Sequence, residues 1–236
     1  MNSPTISWGD IPKLSASQMQ QLVMFATGKY GIDARIVVEH AGRNLAELAT
    51  RHAPDGPVLV VAGRGNNGSG GLAAARLLAG HGRTVFVVPT HEAENYSGTP
   101  KEQLEYLKYY PNVRVRSSLP KMKFSCVIDA AIGTQLEGPP RGRTLDVITV
   151  LNSMAEGCTV ISLDAPTGMM ADDGSVPGDV VKATMTLALA LPKQGVKPNS
   201  QAGELYVGDI GIPPNVFEDL GLQSFKLPSF LTQVVE

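Results

Sequence analysis

The sequence predicts an α/β fold with a mostly parallel central sheet, and three observations lead there. Short, β-branched apolar runs recur along the chain, as strands buried on both faces require. Residues 58–89 read as strand, glycine-dense turn, helix and strand, a βαβ unit. Polar loops follow several apolar runs, at the strand ends where open α/β sheets bind ligands.

In chain order, residues 1–14 read as a loosely held arm, polar and interrupted by Pro4 and Pro12. Ser15 or Ser17 can cap a helix to about Lys29, with Met19, Leu22, Val23 and Ala26 on one face. Gly31 breaks it. Asp33 can cap a second helix, whose Val37, Ala41, Leu45 and Leu48 share a face and which also carries Glu39 and His40 as candidate functional groups. The strand at 58–62 runs into Gly63-Arg64-Gly65-Asn66-Asn67-Gly68-Ser69-Gly70-Gly71, with a helix at 72–79 and a strand at 84–88 beyond. Glycines there let backbone N–H groups approach a ligand and permit positive φ, while the helix N-terminus suits a phosphate. Gly63-x-Gly65-x-x-Gly68 matches the dinucleotide fingerprint, but the acid that should follow about 20 residues on has only Glu92 as a loose candidate. No Gly-Lys-Ser/Thr ending follows, which excludes an ATPase phosphate loop. Asn66 and Asn67 add carboxamides that a bare turn does not need and that suit a sugar, a phosphate or a cation.

Residues 91–99 form a polar loop, and Pro100 opens a helix to about Tyr110, whose Tyr106, Tyr109 and Tyr110 read as packing residues. A short strand at 113–115 precedes a buried one at 124–131, which places Asp129 near its end. A carboxylate there is costly unless it is paired or bound to a cation. Residues 144–154 read as a helix with Leu145, Ile148 and Leu151 inward; the strand at 159–163 then delivers Asp164-Ala165-Pro166-Thr167-Gly168. The strand at 183–191 delivers Pro192-Lys193, the strand at 204–210 closes the sheet, and Pro213-Pro214 starts a terminal segment. Residues 222–236 show little pattern and read as a tail, which leaves a single domain at 15–221.

With 236 residues the chain can bury a sizeable core in one domain. A net charge of −2 offers no basic field for nucleic acid. Cys126 and Cys158 sit by apolar runs and read as reduced core residues. Residues 1–13 lack a signal-peptide pattern, and no apolar run approaches the ~18 residues that span a bilayer. The expectation is a cytoplasmic protein without a membrane or nucleic-acid partner.

Four strand ends thus carry Gly65-Asn66-Asn67, Asp129, Asp164 with Thr167, and Lys193, and in a parallel sheet such ends converge on one edge. These groups suit a phosphorylated polar ligand, a monovalent cation or proton transfer. Nothing resembles a nucleophilic triad, a thiolate site or a zinc-spaced histidine pair.

At these residues the chain resembles the YjeF N-terminal domain family, the NAD(P)H-hydrate epimerases. The blocks that carry the likeness are Leu14-Ser15-Ala16-Ser17-Gln18-Met19; Glu39-His40-Ala41-Gly42-Arg43; Gly65-Asn66-Asn67-Gly68; Val127-Ile128-Asp129-Ala130 with Gly133-Thr134; Ser162-Leu163-Asp164-Ala165-Pro166-Thr167-Gly168; and Leu191-Pro192-Lys193. The resemblance implies a Rossmann-like, three-layer α/β/α sandwich, often a homodimer, that inverts C6 of hydrated NADH or NADPH. It implies a potassium ion surrounded by Asn67, Asp129 and Thr167. It also implies substrate contacts from Asn66, Asn67, Gly68, Ser69 and Gly70, from Gly133, Thr134, Gln135, Leu136, Glu137, Gly138 and Pro139, and from Asp164. Asp164 is the expected proton carrier, with Lys193 tuning it or stabilising the departing oxygen. A dehydratase, fused to the epimerase in many bacteria, is expected here as a separate protein.

Two positions depart from the family pattern. Its loop Gly-Asn-Asn-Gly-Gly-Asp-Gly is here Gly65-Asn66-Asn67-Gly68-Ser69-Gly70-Gly71, so Gly70 replaces an aspartate. Its Glu-Asn-Ala-Gly is Glu39-His40-Ala41-Gly42, an imidazole for a carboxamide. The lost acid favours the alternative, a catalytically degenerate domain that binds nucleotides or proteins.

Overall fold

This computed structural model describes residues 3–223 and 225–236. The strands are β1 (Thr5–Ser7), β2 (Val58–Ala62), β3 (Val85–Pro89), β4 (Val113–Val115), β5 (Cys126–Ala130), β6 (Thr159–Leu163), β7 (Met185–Leu189), β8 (Glu204–Gly208) and β9 (Leu231–Val235). They form one sheet in the order β1-β9-β8-β7-β6-β5-β2-β3-β4, and every neighbouring pair is parallel except β8 and β9. The chain lays β3 and β4 outward from one side of β2, then returns to place β5 on its other side. That reversal opens a crevice at the carboxyl ends of β2 and β5, where a sheet of this kind takes its ligands.

The helices are α1 (Ala16–Met24), α2 (Ala34–His52), α3 (Asn66–Gly80), α4 (Gly98–Tyr106), α5 (Arg143–Met154) and α6 (Pro214–Asp219). Val58, Val60 and Ala62 of β2 pack in one apolar cluster with residues of α1, α2 and α3. Leu59 and Val61 point the other way and pack with Val147, Ile148 and Leu151 of α5. The sheet is therefore covered on both faces, which is why its central strands are buried at every position and mostly apolar. The expected three-layer α/β/α arrangement holds.

Caps set the helix starts. Ser15 Oγ accepts from Gln18 N at 3.0 Å while Gln18 Oε1 accepts from Ser15 N at 2.9 Å, a reciprocal box that fixes α1. A π-helical turn, Phe25–Lys29, carries α1 on to the predicted end. Asp33 caps α2 through Arg35 N.

The glycine turn differs from expectation. α3 begins at Asn66, so Gly68, Ser69, Gly70 and Gly71 belong to its first turns. A Cβ on Gly68 would stand 1.8 Å from Gly63 O, one on Gly71 2.5 Å from Ala130 Cβ, and one on Gly42 of α2 2.5 Å from Ala73 Cβ. These glycines serve close approach of α3 to β2, β5 and α2, and none of the turn's glycines adopts positive φ.

Both termini correct the sequence reading. The supposed loose arm supplies β1, and the supposed tail supplies β9, whose Leu231 and Val234 are buried. A strand this short, with Thr232 buried beside Leu231, shows no clean alternation to read. Positions 1, 2 and 224 of those segments lie outside the described residues. Tyr109 is not a packing residue but 82% exposed; the buried tyrosines are Tyr206 and Tyr96, whose hydroxyl donates to Ala62 O at 2.7 Å. Cys126 and Cys158 are free thiols, which burial pushes up, Cys158 to about 11. Among the described residues no helix is long and apolar enough to cross a membrane.

Candidate functional site

A cleft of about 880 Å³ lies at the carboxyl edge of the sheet. Its polar floor comes from Gly65, Asn66, Asn67 and Gly68 after β2, Ala131, Ile132, Thr134 and Gln135 after β5, and Asp164 after β6. Its apolar wall comes from Met19 and Val23 of α1 and Val37, Val38 and Ala41 of α2. Apolar spacing puts Met19 and Val23, and Val37 and Ala41, on shared helix faces, and the helical period cannot tell a core stripe from a cleft wall.

Asp129, at the end of β5, is fully buried. Thr167 N donates to its Oδ2 at 2.8 Å and Ser162 Oγ at 2.9 Å, and Thr167 Oγ1 donates to Oδ1 at 2.7 Å. Ser162 faces Asp129 in register across β5 and β6, a partner to which no local pattern points. Burial raises the Asp129 pKa above the ordinary carboxylate range, against the pull of those hydrogen bonds. No lysine, arginine or histidine pairs with it among the described residues.

Nearby, Gly133 has φ of 76°, and a Cβ there would stand 2.8 Å from Asn67 Cγ, so only glycine leaves room for that carboxamide. Ile132 N donates to Thr167 Oγ1 at 3.3 Å, tying the two loops together. Asn67 Nδ2 is buried without a hydrogen-bond partner. An orphaned amide, whose oxygen and nitrogen exchange on a flip, thus stands by the loops that carry a buried, uncompensated carboxylate and a threonine hydroxyl. This oxygen-rich set fits a hard monovalent cation, and the described residues offer no cluster of three His, Cys, Asp or Glu for a transition metal.

Asp164 is held in the left-handed region, φ 69°, which an aspartate tolerates better than most residues. Its N donates to Leu187 O at 2.7 Å, and Leu189 N and Lys193 Nζ donate to its Oδ1 at 3.1 and 2.5 Å. Oδ1 thus takes the protein's hydrogen bonds and leaves Oδ2 to the cleft that Asp164 lines. Lys193 is fully buried. Its ammonium also donates to Leu189 O at 3.2 Å and Leu191 O at 3.0 Å, which uses all three hydrogens. Leu14 covers this segment, its N donating to Pro192 O at 2.9 Å and its O accepting from Gln194 N at 3.1 Å. Lys193 therefore has no N–H free for a departing oxygen.

The remaining predicted residues divide. Ser69 turns back into α3, its N and Oγ bonded to Gly65 O at 3.0 and 3.2 Å. A Cβ on Gly70 would stand 2.8 Å from Leu163 Cδ2, so Leu163 occupies the space beside the missing carboxylate. Leu136, Glu137, Gly138 and Pro139 run beyond the cleft lining, with Pro139 packed beside Gly178. Glu39 pairs with Arg76 and accepts from Gln103 Nε2 at 2.9 Å on the outer side of α2, and His40 packs over Gly211. Neither lines the cleft.

Comparison with known proteins agrees with this fold. A family model described as YjeF-related protein N-terminus matches residues 34–195. The chain is 61% identical to an NAD(P)H-hydrate epimerase of Truepera radiovictrix over 222 residues, 94% of this chain and 100% of that one. It is 39% identical to an NAD(P)H-hydrate epimerase of Dehalogenimonas lykanthroporepellens over 223 residues, 92% and 89% of the two. The crystal structure of yeast ynu0, YNL200c, superposes with a TM-score of 0.83, covering 94% of this chain and 100% of that one at 23% identity, a likeness of fold. The chain belongs to the family of YjeF-related protein N-termini.

Proposed function

We propose that this protein is an NAD(P)H-hydrate epimerase that inverts C6 of hydrated NADH or NADPH. One observation carries the reading: a buried ion pair presents a single carboxylate oxygen, Asp164 Oδ2, to a cleft with a helix N-terminus at its floor. The likeness to epimerases over nearly the whole chain supports it.

The ring nitrogen of the hydrate expels the C6 hydroxyl and leaves an iminium, to which water returns on the opposite face. Water gives the departing oxygen its proton, the Asp164 carboxylate takes one from the incoming water, and the hydroxide left by the first water takes it back, so the protein ends as it began. The left-handed backbone and Lys193 hold that carboxyl in place, which makes Lys193 a positioning residue. Asn66 and the free N–H groups at the start of α3 bind phosphate oxygens. The apolar wall from α1 and α2 limits water around the cation formed on the ring.

A potassium ion held by Asn67, Asp129 and Thr167 belongs to the same proposal. When bound it neutralises Asp129 and adds positive charge to the phosphate side of the cleft. A homodimer, a cytoplasmic location and a separate dehydratase that consumes the other epimer complete it. Light scattering of the purified protein tests the dimer.

Gly70 favours a second reading, a domain that binds the nucleotide without turnover. Following the decay of the slow-reacting epimer of hydrated NADH, with and without protein and potassium, separates the two. Acceleration supports the enzyme, and binding without acceleration supports the module.

A further inference from the structure

On the β3 side of the cleft, away from Asp164, two arginines and a histidine stand without an acid among the described residues. Arg64, exposed on the loop after β2, lines the mouth and makes no ion pair among the described residues. His91, just past β3, lines it too, with Nδ1 2.9 Å from Thr90 Oγ1. Arg143, the first residue of α5, donates to Pro89 O at 2.9 Å and Ser117 O at 3.0 Å, so its guanidinium is oriented but its charge is not neutralised. Arg143 is bonded to Pro89, two residues before His91, and its neighbour Thr144 lines the cleft; partial burial, followed by the charges of Arg64 and Arg143, holds the His91 imidazole below its ordinary pKa.

In a dinucleotide-binding βαβ unit, the end of the second strand holds the acid that bonds a ribose 2′-hydroxyl, and an arginine there accommodates a 2′-phosphate instead. Here that strand end reads Pro89-Thr90-His91, while Glu92 and Glu94 are exposed and do not line the cleft. The spacing agrees. From β6, which delivers Asp164, to β3 is three inter-strand steps, about 14 Å at ~4.8 Å a step. A dinucleotide with its hydrated ring at Asp164 and its diphosphate at the start of α3, after β2, carries its far ribose on toward β3.

We propose that Arg64, His91 and Arg143 form a phosphomonoester subsite that reads the 2′-phosphate, so that hydrated NADPH is the preferred substrate over hydrated NADH. This rests on the epimerase reading for its substrate. Two guanidiniums are suited to a dianion through paired N–H donors, and the open mouth makes the contact salt-sensitive.

Calorimetry with adenosine 2′,5′-bisphosphate and adenosine 5′-monophosphate, on wild type and Arg64→Gln at low salt, tests the subsite apart from turnover. Wild type should bind the bisphosphate at least about tenfold more tightly, and Arg64→Gln should shrink the difference to about threefold or less. The ratio of kcat/KM for hydrated NADPH to that for hydrated NADH should fall about tenfold in the same variant. Equal or undetectable binding of both probes by wild type, or a parallel loss for both in Arg64→Gln, overturns the subsite. A bisphosphate preference without turnover of either hydrate overturns the epimerase reading and leaves the subsite standing.

Discussion

Asp164 and Lys193 share a place with almost no water, their side chains 7% and 0% exposed. Removing one partner leaves the other charge buried, at a cost of about 3–5 kcal/mol. Asp164→Asn keeps a residue that tolerates positive φ but strands the ammonium. It should lower both stability and epimerisation, the latter by orders of magnitude. Lys193→Met should destabilise to a similar degree, and the double variant should recover stability in urea titrations without recovering turnover. Recovered activity would remove Asp164 from the chemistry. Asp129 makes a separate prediction. Its folded pKa is raised, so its contribution to stability is full below the ordinary carboxylate pKa and is lost as pH rises through the raised value. A bound potassium ion offsets that loss by stabilising the carboxylate. The gain in Tm from potassium over tetramethylammonium, followed by calorimetry, should therefore grow with pH from about 4 upward. A gain that is absent at every pH would argue against the cation site.

At the scale of elements, the α2–α3 contact rests on glycine and alanine rather than on large side chains. Gly42→Ala sets two Cβ atoms 2.5 Å apart at Ala73, so the helices must separate. A loss of about 1–3 kcal/mol is expected, and Ala73→Gly in the same chain should return part of it in a double-mutant cycle. The same contact shows how far the sequence could be read. Residues 63–71 announced a glycine-dependent connection, but the pattern could not separate glycines that face a ligand from glycines that face another backbone. Gly65 has nothing within 4 Å of its would-be Cβ, whereas Gly68 and Gly71 are packed against β2 and β5. The strands 113–115 and 159–163 and the cap at Asp33 were legible because local chemistry alone decides them. Asn67 and Asp129 were legible as groups suited to a cation, their joining with Thr167 in one set was reachable only through the family resemblance, and Ser162, Arg64 and His91 were not singled out at all. Their roles come from register and from strand order, which no local period encodes.

For the whole molecule, the two ends of the chain close one edge of the sheet together, since β1 pairs only with β9 and β9 joins it to β8. Deleting residues 229–236 removes the buried Leu231 and Val234 and leaves β1 without its neighbour. Burial of those two side chains alone contributes about 3–6 kcal/mol, so the truncated chain should melt well below wild type in differential scanning calorimetry. An unchanged Tm would mean that the edge adds nothing. The opposite part of the sheet, between β6 and β3, holds the cleft, and there strands distant in sequence bring Asn67, Asp129 and Asp164 to one edge. The decisive experiment is the rate at which the slow epimer of hydrated NADPH is converted in potassium buffer by wild type and by Asp164→Asn, with folding of both verified by circular dichroism. Rapid conversion by wild type and a rate lower by orders of magnitude in the folded variant is the expected result. Equal rates for the two proteins, or none for wild type, would contradict it.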